Sequence, residues 1–465
     1  MTKDIIWDSN SLSKALGRDI YVNVNAKNIC YTSCDITEGD IFVALPGINN
    51  HGAYYIDDAF KRGASCAISE RPQDDKRVII VDDSYKALNK LAEFKRKNSS
   101  AKFIAITGSA GKTSTKEILK TILSSFGKTY ANKDSYNNHT GVPLSLASLA
   151  EDINFSVNEI GMNNAGEIRN LAKIVIPDMV IITNIYEAHI GGEGLGSLEN
   201  ICKAKCEIFE ALSKEGCAIL NIDNPMVNMQ STILKDLGIN KIYTFGESNK
   251  ADSQVLNYER IDNYAVVTYR IFNKTYRTKN YLIGKHQASN FAAAFLVPYI
   301  LELDMDEVMN ASENVMPYDG RGVISEHKYN GYVYRVIDDA YNANPASVEA
   351  ALKNLAEIQG VKVAILADMR ELGDNSIEMH KILANSVLKA GVTQIFTLCD
   401  HMKYLHDKLS SQIDSYHYDD TSDRSFDDII SKLIKTDATI LVKGSKGTKL
   451  KRFVEYFPKF IKNIK

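Results

Sequence analysis

The sequence lacks an excess of basic residues. Its 465 residues include 55 Lys and Arg against 58 Asp and Glu, which gives a formal net charge of -3. A protein that holds nucleic acid by bulk electrostatics carries a basic domain or patch, so we expect no nucleic-acid partner. The basic residues clustered near the end of the chain predict the solvated face of a terminal helix, and they are Lys449, Lys451, Arg452, Lys459, Lys462 and Lys465.

Long apolar runs are also missing. The longest, at residues 291–301, contains Pro298 and falls well short of the roughly 20 residues that a membrane-spanning helix needs. The first eight residues lack the apolar stretch of an export signal. We therefore expect a cytoplasmic protein without membrane insertion, and we expect it to act as a monomer.

The cysteines do not form an even, regularly spaced set. All seven are scattered along the chain, which is typical of free thiols in a reducing compartment. Cys202 and Cys206 are four residues apart and could share a helix face, but no neighbouring His or Cys pair completes a zinc site. We expect these two side chains to pack as small buried groups.

Buried-strand patterns alternate with helical stretches from about Ala101 onward. The strand candidates are apolar runs without polar alternation, as expected for strands covered on both faces of a parallel sheet. Helical stretches between them indicate βαβ crossovers, so we predict an α/β fold. The candidates span residues 103–106, 155–160, 179–185, 218–222, 363–367, 395–398 and 439–442.

The length of the chain indicates about three domains. A polar segment at residues 95–100 precedes a strong strand candidate. Residues 314–322, rich in Pro, Asp and Gly, follow a helical stretch. Breaks at these two places predict domains of residues 1–100, 101–314 and 315–465.

A loop of small residues follows the first strong strand and reads Thr107-Gly108-Ser109-Ala110-Gly111-Lys112-Thr113-Ser114. We predict that the strand ends at residue 106 and that a helix begins at residue 116. Glycines let backbone N–H groups curl round phosphate oxygens, and the helix N-terminus adds its positive dipole end. Lys112, which we expect to face solvent, would neutralise the β- and γ-phosphates, and the Thr113 hydroxyl would bind Mg²⁺. Ile106 stands where the general phosphate loop has glycine, so an ordinary loop carrying Gly-Lys-Thr is the alternative.

Two further polar residues follow predicted strands. Glu159 ends a buried-looking strand, where a carboxylate faces the crevice in which open α/β sheets bind ligands. It is a natural hard-oxygen ligand for Mg²⁺. His189 follows the next strand, and a lone histidine there is more often a hydrogen-bonding loop residue than a ligand. Its expected proximity to Glu159 favours a shared site.

The shortened loop Thr-Gly-x-x-Gly-Lys-Thr after a strand resembles the Mur ligases and their relatives, the folylpolyglutamate synthetases. The resemblance implies an N-terminal UDP-substrate domain, a central P-loop ATPase domain with a parallel sheet, and a Rossmann-like C-terminal domain. It also implies two Mg²⁺ ions held by Thr113, Glu159, His189 and Lys205, with a carbamate made from CO₂ on Lys205. Without the resemblance, Lys205 would be interpreted as a solvated helix lysine.

Other segments resemble the ATP site of this family. Asn290 resembles its adenine contact, Arg321 its hinge arginine that reaches the γ-phosphate, and Asp339 its ribose-binding aspartate. The nucleotide-binding residues that the resemblance implies are Thr107, Gly108, Ser109, Ala110, Gly111, Lys112, Thr113, Ser114, Asn137, Asn138, Asn290, Arg321 and Asp339. The implied catalytic residues are Lys112, Glu159, His189, Lys205 and Arg321.

Four runs, at residues 137–143, 159–168, 338–345 and 368–373, resemble one member of the family in particular. That member joins D-alanyl-D-alanine to UDP-N-acetylmuramoyl-tripeptide through an acyl phosphate, in the synthesis of peptidoglycan. The resemblance therefore implies these two substrates together with ATP. The sequence does not fix whether the third residue of the tripeptide is diaminopimelate or lysine.

The N-terminal hundred residues follow the family pattern less closely and keep alternatives open. Thr32-Ser33-Cys34 stands where Asp-Ser-Arg is usual, and His51-Gly52-Ala53 stands where Asp-Gly-His is usual. A ligase that acts on another carboxylate and amine is therefore the nearest alternative. A P-loop kinase or hydrolase would not need the run at residues 341–345. A non-catalytic relative would be expected to lose Lys112, Glu159 or Lys205, and all three are present.

Overall fold

A computed structural model of the chain describes residues 5–133, 136–186, 195–213, 215–370 and 372–463. Its strands form three larger sheets that follow one another along the sequence, together with one small strand pair. Each larger sheet is covered by helices, so the α/β class predicted from the sequence is confirmed. Short 3-10 turns occur at Ser33–Asp35, Gly52–Tyr55, Glu207–Ala211, Gly373–Asn375 and Lys446–Thr448.

The N-terminal unit is built round a small parallel sheet. Its described elements are β1 (Trp7–Asp8), α1 (Ser9–Leu16), β2 (Asn25–Ala26), β3 (Ile29–Cys30), β4 (Ile41–Ala44), α2 (Ile56–Lys61), β5 (Cys66–Ser69), β6 (Val78–Ile80) and α3 (Ser84–Lys97). The sheet order is β3-β4-β5-β6, and β4 and β5 are buried along their whole length. The indole N–H of Trp7 donates to the carbonyl of Ala147 at 2.8 Å and joins this unit to the next.

The central unit holds the longest sheet. Its described elements are β7 (Lys102–Thr107), α4 (Lys112–Leu123), β8 (Thr129–Ala131), α5 (Gly141–Ala147), β9 (Phe155–Glu159), α6 (Glu167–Val175), β10 (Met179–Ile182), α7 (Leu198–Cys206), β11 (Cys217–Asn221), α8 (Val227–Asp236), β12 (Ile242–Gly246), β13 (Ser253–Ile261), β14 (Tyr264–Ile271), β15 (Lys274–Asn280), α9 (Lys285–Ile300) and α10 (Met305–Ser312). The described strands pair in the order β15-β14-β13-β12-β11-β10-β7-β9-β8. In this sheet order, every pair from β8 to β13 is parallel. Strands β13, β14 and β15 form an antiparallel extension that was not predicted from the sequence.

The C-terminal unit has a mostly parallel sheet in the order β16-β17-β21-β18-β19-β20. The only antiparallel pair among its described strands is the hairpin of β16 and β17. Its described elements are β16 (Val323–Tyr329), β17 (Tyr332–Asp338), α11 (Pro345–Ala356), β18 (Val361–Ala367), α12 (Ser376–Lys381), α13 (Leu383–Lys389), β19 (Gln394–Leu398), α14 (Lys403–Leu409), β20 (Asp414–Tyr418), α15 (Asp423–Lys432), β21 (Ala438–Lys443) and α16 (Lys451–Asn463). The terminal helix α16 buries Phe453 and Phe457 and exposes Lys459 and Lys462, in line with the predicted solvated face.

Two predicted element boundaries are wrong by three residues or more, and others differ by one or two residues. Helix α4 begins at Lys112 and not at residue 116, because Gly111 adopts a left-handed conformation (φ 84°) that turns the chain directly into the helix. Strand β10 ends at Ile182 and not at residue 185. Its last residue, Ile182, pairs with Thr107, which is the last residue of β7. Beyond Thr107 the chain enters the small-residue loop, so β7 offers β10 no further backbone partner.

The predicted domain boundaries stay predictions, although each of the three larger sheets lies within one predicted range. Cys202 and Cys206 are both buried on α7 with 3.9 Å between their sulfur atoms, and the cysteines are present as thiols. None of the helices described here combines the length and the apolar character needed to cross a bilayer.

The core beneath the central sheet provides a test of this packing. Phe295 of α9 is fully buried and makes a T-shaped contact with Tyr269, with 5.0 Å between ring centroids. Phe295→Ala should cost about 3–5 kcal/mol, because it removes a buried ring and leaves a cavity. The urea midpoint of the far-ultraviolet circular dichroism transition measures this loss. Tyr21→Ala, at a side chain that is 94% exposed, is the control and should stay within about 0.5 kcal/mol of the parent. Equal midpoints for the two variants would contradict the packing described here.

Candidate active site

A cavity of about 270 Å³ lies where the central and C-terminal units meet. The central unit contributes the start of α4, the end of β9 and the start of α9, and the C-terminal unit contributes the segment after β17 and the end of β21. Because β7 and β9 are parallel neighbours, their carboxyl ends open onto the same edge of the sheet. Ligands of open α/β sheets bind at such an edge.

The small-residue loop is shaped by its two glycines. Gly108 (φ 151°) runs so close to Thr183 that a β-carbon would collide with the Thr183 hydroxyl. A β-carbon on Gly111 would lie 2.6 Å from the Asn290 side-chain oxygen. The Lys112 ammonium donates to the Gly108 carbonyl at 2.7 Å and closes the loop on itself. Lys112 is therefore half-buried, and the expectation that it faces solvent is wrong.

Glu159 is the buried carboxylate of the cavity, with only 2% of its surface exposed. Its Oε1 accepts a hydrogen bond from the Asn137 amide at 2.7 Å. Its Oε2 has no hydrogen-bond partner among the described residues. A buried carboxylate oxygen without a donor is costly unless a cation is nearby, so this atom faces a position suited to a positive charge.

The cationic side chains of Lys112, Arg321 and Lys205 lie in or beside the cavity that contains this carboxylate. Burial lowers the pKa of Lys112, and the positive charge of Arg321 acts in the same direction while Glu159 opposes it. Burial also lowers the pKa of Lys205 well below its usual range, with Lys112 as the next cause. Lys205 is 3% exposed, so its interpretation as a solvated helix lysine is wrong: it lies on the inward face of α7. The Arg321 Nε is buried without a hydrogen-bond partner among the described residues.

The C-terminal wall of the cavity is fixed by an ion pair. The ammonium of Lys443, which is 1% exposed, lies 2.7 Å from Asp339 and also donates to the Asn342 carbonyl at 3.0 Å. Burial lowers the pKa of Lys443, while Asp339 favours its charged form. The guanidinium of Arg321 stacks over the Tyr341 ring at 4.4 Å from its centroid. These contacts hold the segment after β17 against the cavity.

The structure brings most of the residues predicted from the sequence together. The cavity lining includes Ser109, Ala110, Gly111, Lys112, Thr113, Ser114, Asn137, Glu159, Asn290, Arg321 and Asp339. Thr107 and Gly108 lie buried behind them, and Lys205 is near enough to Lys112 for their charges to interact. Asn138 is exposed and accepts hydrogen bonds from the backbone of Thr140 and Gly141, so it caps a turn beside the cavity. His189 lies outside the described residues. The functional roles of all these residues stay predictions.

The sequence analysis missed several residues of the cavity region, among them Lys443 and Tyr318. Lys443 ends an otherwise apolar strand, and a lysine at the carboxyl end of a buried strand is a signal that could have pointed to it. Tyr318 approaches Ser114 of the phosphate loop, with 3.4 Å between their hydroxyl oxygens, and no local pattern in the sequence marks it. Its contact joins residues 204 positions apart in the chain.

Comparison with known proteins identifies the family. Residues 106–297 match the profile of the Mur ligase middle domain, and residues 323–446 match that of the Mur ligase glutamate ligase domain. A UDP-N-acetylmuramoyl-tripeptide–D-alanyl-D-alanine ligase of Rickettsia prowazekii (strain Madrid E) is 38% identical over 97% of this chain and 100% of its own length. This chain belongs to the Mur ligase family.

Two further comparisons agree with this membership. The ligase of the same description from Escherichia coli (strain K12) is 31% identical over 90% of this chain and 91% of its own length. The crystal structure of MurF from Acinetobacter baumannii superposes with a TM-score of 0.85 at 26% identity, covering 97% of this chain and 99% of that one. The three-part Mur ligase architecture is therefore the architecture of this chain.

The close approach at Gly111 predicts an effect on nucleotide binding. Gly111→Ala should displace the Asn290 side chain and strain the left-handed turn, and we expect ADP affinity to fall about tenfold or more, or ~1.4 kcal/mol. Isothermal titration calorimetry with ADP measures this loss. Gly238→Ala is the control, because it is also left-handed (φ 76°) but its added β-carbon would meet no atom within 4 Å. Unchanged ADP affinity in Gly111→Ala would exclude this loop as the phosphate site.

Proposed function

We propose that this chain is an ATP-dependent amide ligase that joins D-alanyl-D-alanine to UDP-N-acetylmuramoyl-tripeptide. One observation carries the proposal: a single cavity unites the phosphate loop and Glu159 with Arg321 and Asp339 of the C-terminal unit. A simple kinase or hydrolase does not require the second wall of this cavity. The relatives in the family that carry this substrate description match the chain over nearly its full length.

The residues of the cavity support a place for each part of ATP. The loop amides and the N-terminus of α4 would face the phosphates, where Lys112 and Arg321 would offset their charge. Asp339 would accept hydrogen bonds from the ribose, and Asn290 on α9 would contact the base. The Lys443 ammonium, 2.7 Å from the Asp339 carboxylate, holds that side chain in place.

The donor set fits a divalent cation. Glu159 Oε2 is buried without a partner among the described residues, and the Thr113 hydroxyl lines the same cavity. Carboxylate and hydroxyl oxygens are ligands that Mg²⁺ accepts readily. When bound, Mg²⁺ would offset the charge on the phosphate oxygens. Within the described residues no cluster of three acidic, His or Cys side chains is suited to a metal, so a second ion, and the part of His189 in it, stay predictions.

The surroundings of Lys205 support a carbamate at this position. No hydrogen bond or ion pair joins its ammonium to any residue that the structure describes, and burial lowers its pKa. Only a neutral amine can attack CO₂, forming a C–N bond and releasing one proton. The product is an anion beside the cation Lys112, so modification would replace a repulsive contact with an attractive one. It would also supply oxygen atoms that an ammonium lacks.

The reaction that we propose has two steps. The terminal carboxylate of the tripeptide attacks the γ-phosphorus of ATP, forming an acyl phosphate and releasing ADP. The amino group of D-alanyl-D-alanine then attacks the acyl carbon, and the tetrahedral intermediate expels phosphate while the amine loses its proton. The first step brings two anions together and the second expels an anionic phosphate, so charge neutralisation and alignment by Lys112 and Arg321 are the main contributions of the protein.

The divergent segments of the N-terminal unit are the basis of the nearest alternative function, a ligase for another carboxylate and amine. His51 is buried, accepts a hydrogen bond from the Ala53 amide and lies 3.2 Å from Glu70. It therefore shapes the loop that follows β4, while Cys34 of the other divergent segment is exposed. The presence of the cysteines as thiols and the use of ATP support a cytoplasmic location as part of the proposal.

Substrate dependence tests the proposed reaction. Phosphate release from ATP should require both UDP-N-acetylmuramoyl-tripeptide and D-alanyl-D-alanine, because the acyl phosphate turns over only when the amine arrives. The assay uses diaminopimelate- and lysine-containing tripeptides in parallel, each with and without the dipeptide. Omission of either substrate is the control. Turnover with free lysine or diaminopimelate as the amine, and none with D-alanyl-D-alanine, would assign the chain to a different substrate pair.

Loss of the Lys205 side chain tests the carbamate. Lys205→Ala should be nearly inactive, and formate or acetate should restore part of the activity, because a small carboxylate can occupy the space of the missing group. Lys203→Ala is the matched control: it removes an exposed lysine from the same helix and should behave like the parent at every acetate concentration. A Lys205→Ala enzyme with parental turnover would remove the carbamate from the mechanism.

A further inference from the structure

A second lysine of the phosphate-loop helix is buried without reaching the cavity. Lys116 lies one turn after Lys112 on α4, and its side chain is 0% exposed. Its ammonium donates to the main-chain carbonyl of Asn132 at 2.7 Å and lies 3.1 Å from Glu117 Oε1. A buried ammonium is unfavourable unless its hydrogen bonds are made. The contacts of Lys116 with the Asn132 carbonyl and with Glu117 therefore fix the position of its side chain.

Asn132, the residue that accepts from Lys116, clamps the backbone of Glu159. It follows β8 and is 1% exposed. Its amide group donates to the Glu159 carbonyl at 3.0 Å and to the Tyr136 carbonyl at 2.8 Å. Its side-chain oxygen accepts from the Glu159 N–H at 2.8 Å. Both backbone groups of Glu159 are therefore bound by one side chain.

The same short stretch of chain also reaches the Glu159 carboxylate. Asn137, five residues after Asn132, donates to Glu159 Oε1 at 2.7 Å, and its carbonyl accepts from the Gly161 N–H at 2.7 Å. The backbone and the side chain of Glu159 are thus both set by residues that follow β8. Lys116 fastens this stretch to the helix whose first turn carries Lys112 and Thr113.

We propose that Lys116 is a positioning residue for the metal site, acting through Asn132 to hold the Glu159 carboxylate in register with Thr113. The inference rests on the proposed function, because it assumes that Glu159 and Thr113 bind the divalent cation together. Lys116 is not among the residues that line the cavity, so it would act without contacting the nucleotide. An apolar side chain could fill its volume but could not donate to the Asn132 carbonyl.

Metal affinity is the decisive measurement. Lys116→Met keeps the length of the side chain and removes its donor. The affinity of the protein–ADP complex for Mn²⁺, followed by electron paramagnetic resonance of free Mn²⁺, should fall about 10- to 100-fold, as expected when support of a metal ligand is lost. ADP affinity without metal should stay near that of the parent, since the phosphate loop is unchanged. Parental Mn²⁺ affinity in Lys116→Met would overturn the inference.

Lys95→Met separates this role from simple loss of a buried lysine. Lys95 is 6% exposed, its ammonium donates to the Ile6 carbonyl and lies 4.7 Å from the Trp7 ring centroid, and it is remote from Glu159 in the N-terminal unit. This control should lower the unfolding midpoint but leave Mn²⁺ affinity unchanged. An equal loss of Mn²⁺ affinity in Lys95→Met would mean that any buried-lysine defect disturbs the site, and would also overturn the inference.

Two further variants keep the test decisive. Should Lys116→Met fail to fold, Asn132→Ala serves instead, because it preserves the carbonyl that Lys116 binds and removes the clamp on Glu159, together with the hydrogen bond to the Tyr136 carbonyl. It must show the same Mn²⁺ defect, and parental affinity would refute the route through Asn132. Glu159→Gln tests the proposed function itself. Unchanged Mn²⁺ affinity in Glu159→Gln would refute the metal role of Glu159, whereas a loss there with parental affinity in Asn132→Ala refutes only the positioning role.

Discussion

The main physical obstacle in the active site is the repulsion between a carboxylate and the γ-phosphate of ATP. Two anions must approach within bonding distance, and the cavity gathers Lys112, Arg321 and Lys443 against only a few acidic groups. Burial lowers the pKa values of Lys112 and Lys443, and the positive charge of Arg321 adds to that effect, so gathering these cations is unfavourable by itself. Anionic substrates offset the repulsion between these buried cations. The cluster of cations therefore favours the bound and reacting states.

Two parts of the fold provide the charged groups of the site: one edge of the central sheet and the C-terminal unit. The parallel strands β7 and β9 fix the phosphate loop and Glu159 relative to each other through one continuous ladder. Arg321, Asp339 and Lys443 come from the other side of the junction. The antiparallel extension of the central sheet braces that junction, since Arg260 of β13 donates to the Asn354 carbonyl at 2.8 Å. A motion between the units would therefore assemble or open the site without deforming either sheet.

Patterns in the sequence predicted those structural features that depend on a few neighbouring residues. The apolar runs gave seven of the strands from residue 101 onward, and the glycine spacing gave the loop, because both signals lie within a few neighbouring residues. The strands of the N-terminal sheet and strands β8, β12, β17 and β20 were not predicted. The start of α4 was placed too late because the effect of Gly111 depends on its backbone conformation. The extension at β13, β14 and β15 was missed, and so was the burial of Lys116, Lys205 and Lys443. Those properties arise from contacts between distant parts of the chain, which periodicity cannot show.

Oxygen transfer tests most directly the claim that this cavity phosphorylates a carboxylate. The terminal carboxylate of UDP-N-acetylmuramoyl-tripeptide is labelled with ¹⁸O, and the phosphate released during ligation is analysed by mass spectrometry. An acyl phosphate places one carboxylate oxygen between carbon and phosphorus, and attack by the amine leaves that oxygen on the phosphate. The account predicts one ¹⁸O atom in each phosphate formed from fully labelled substrate. Phosphate that carries no label, with amide formed at the same rate, would contradict it.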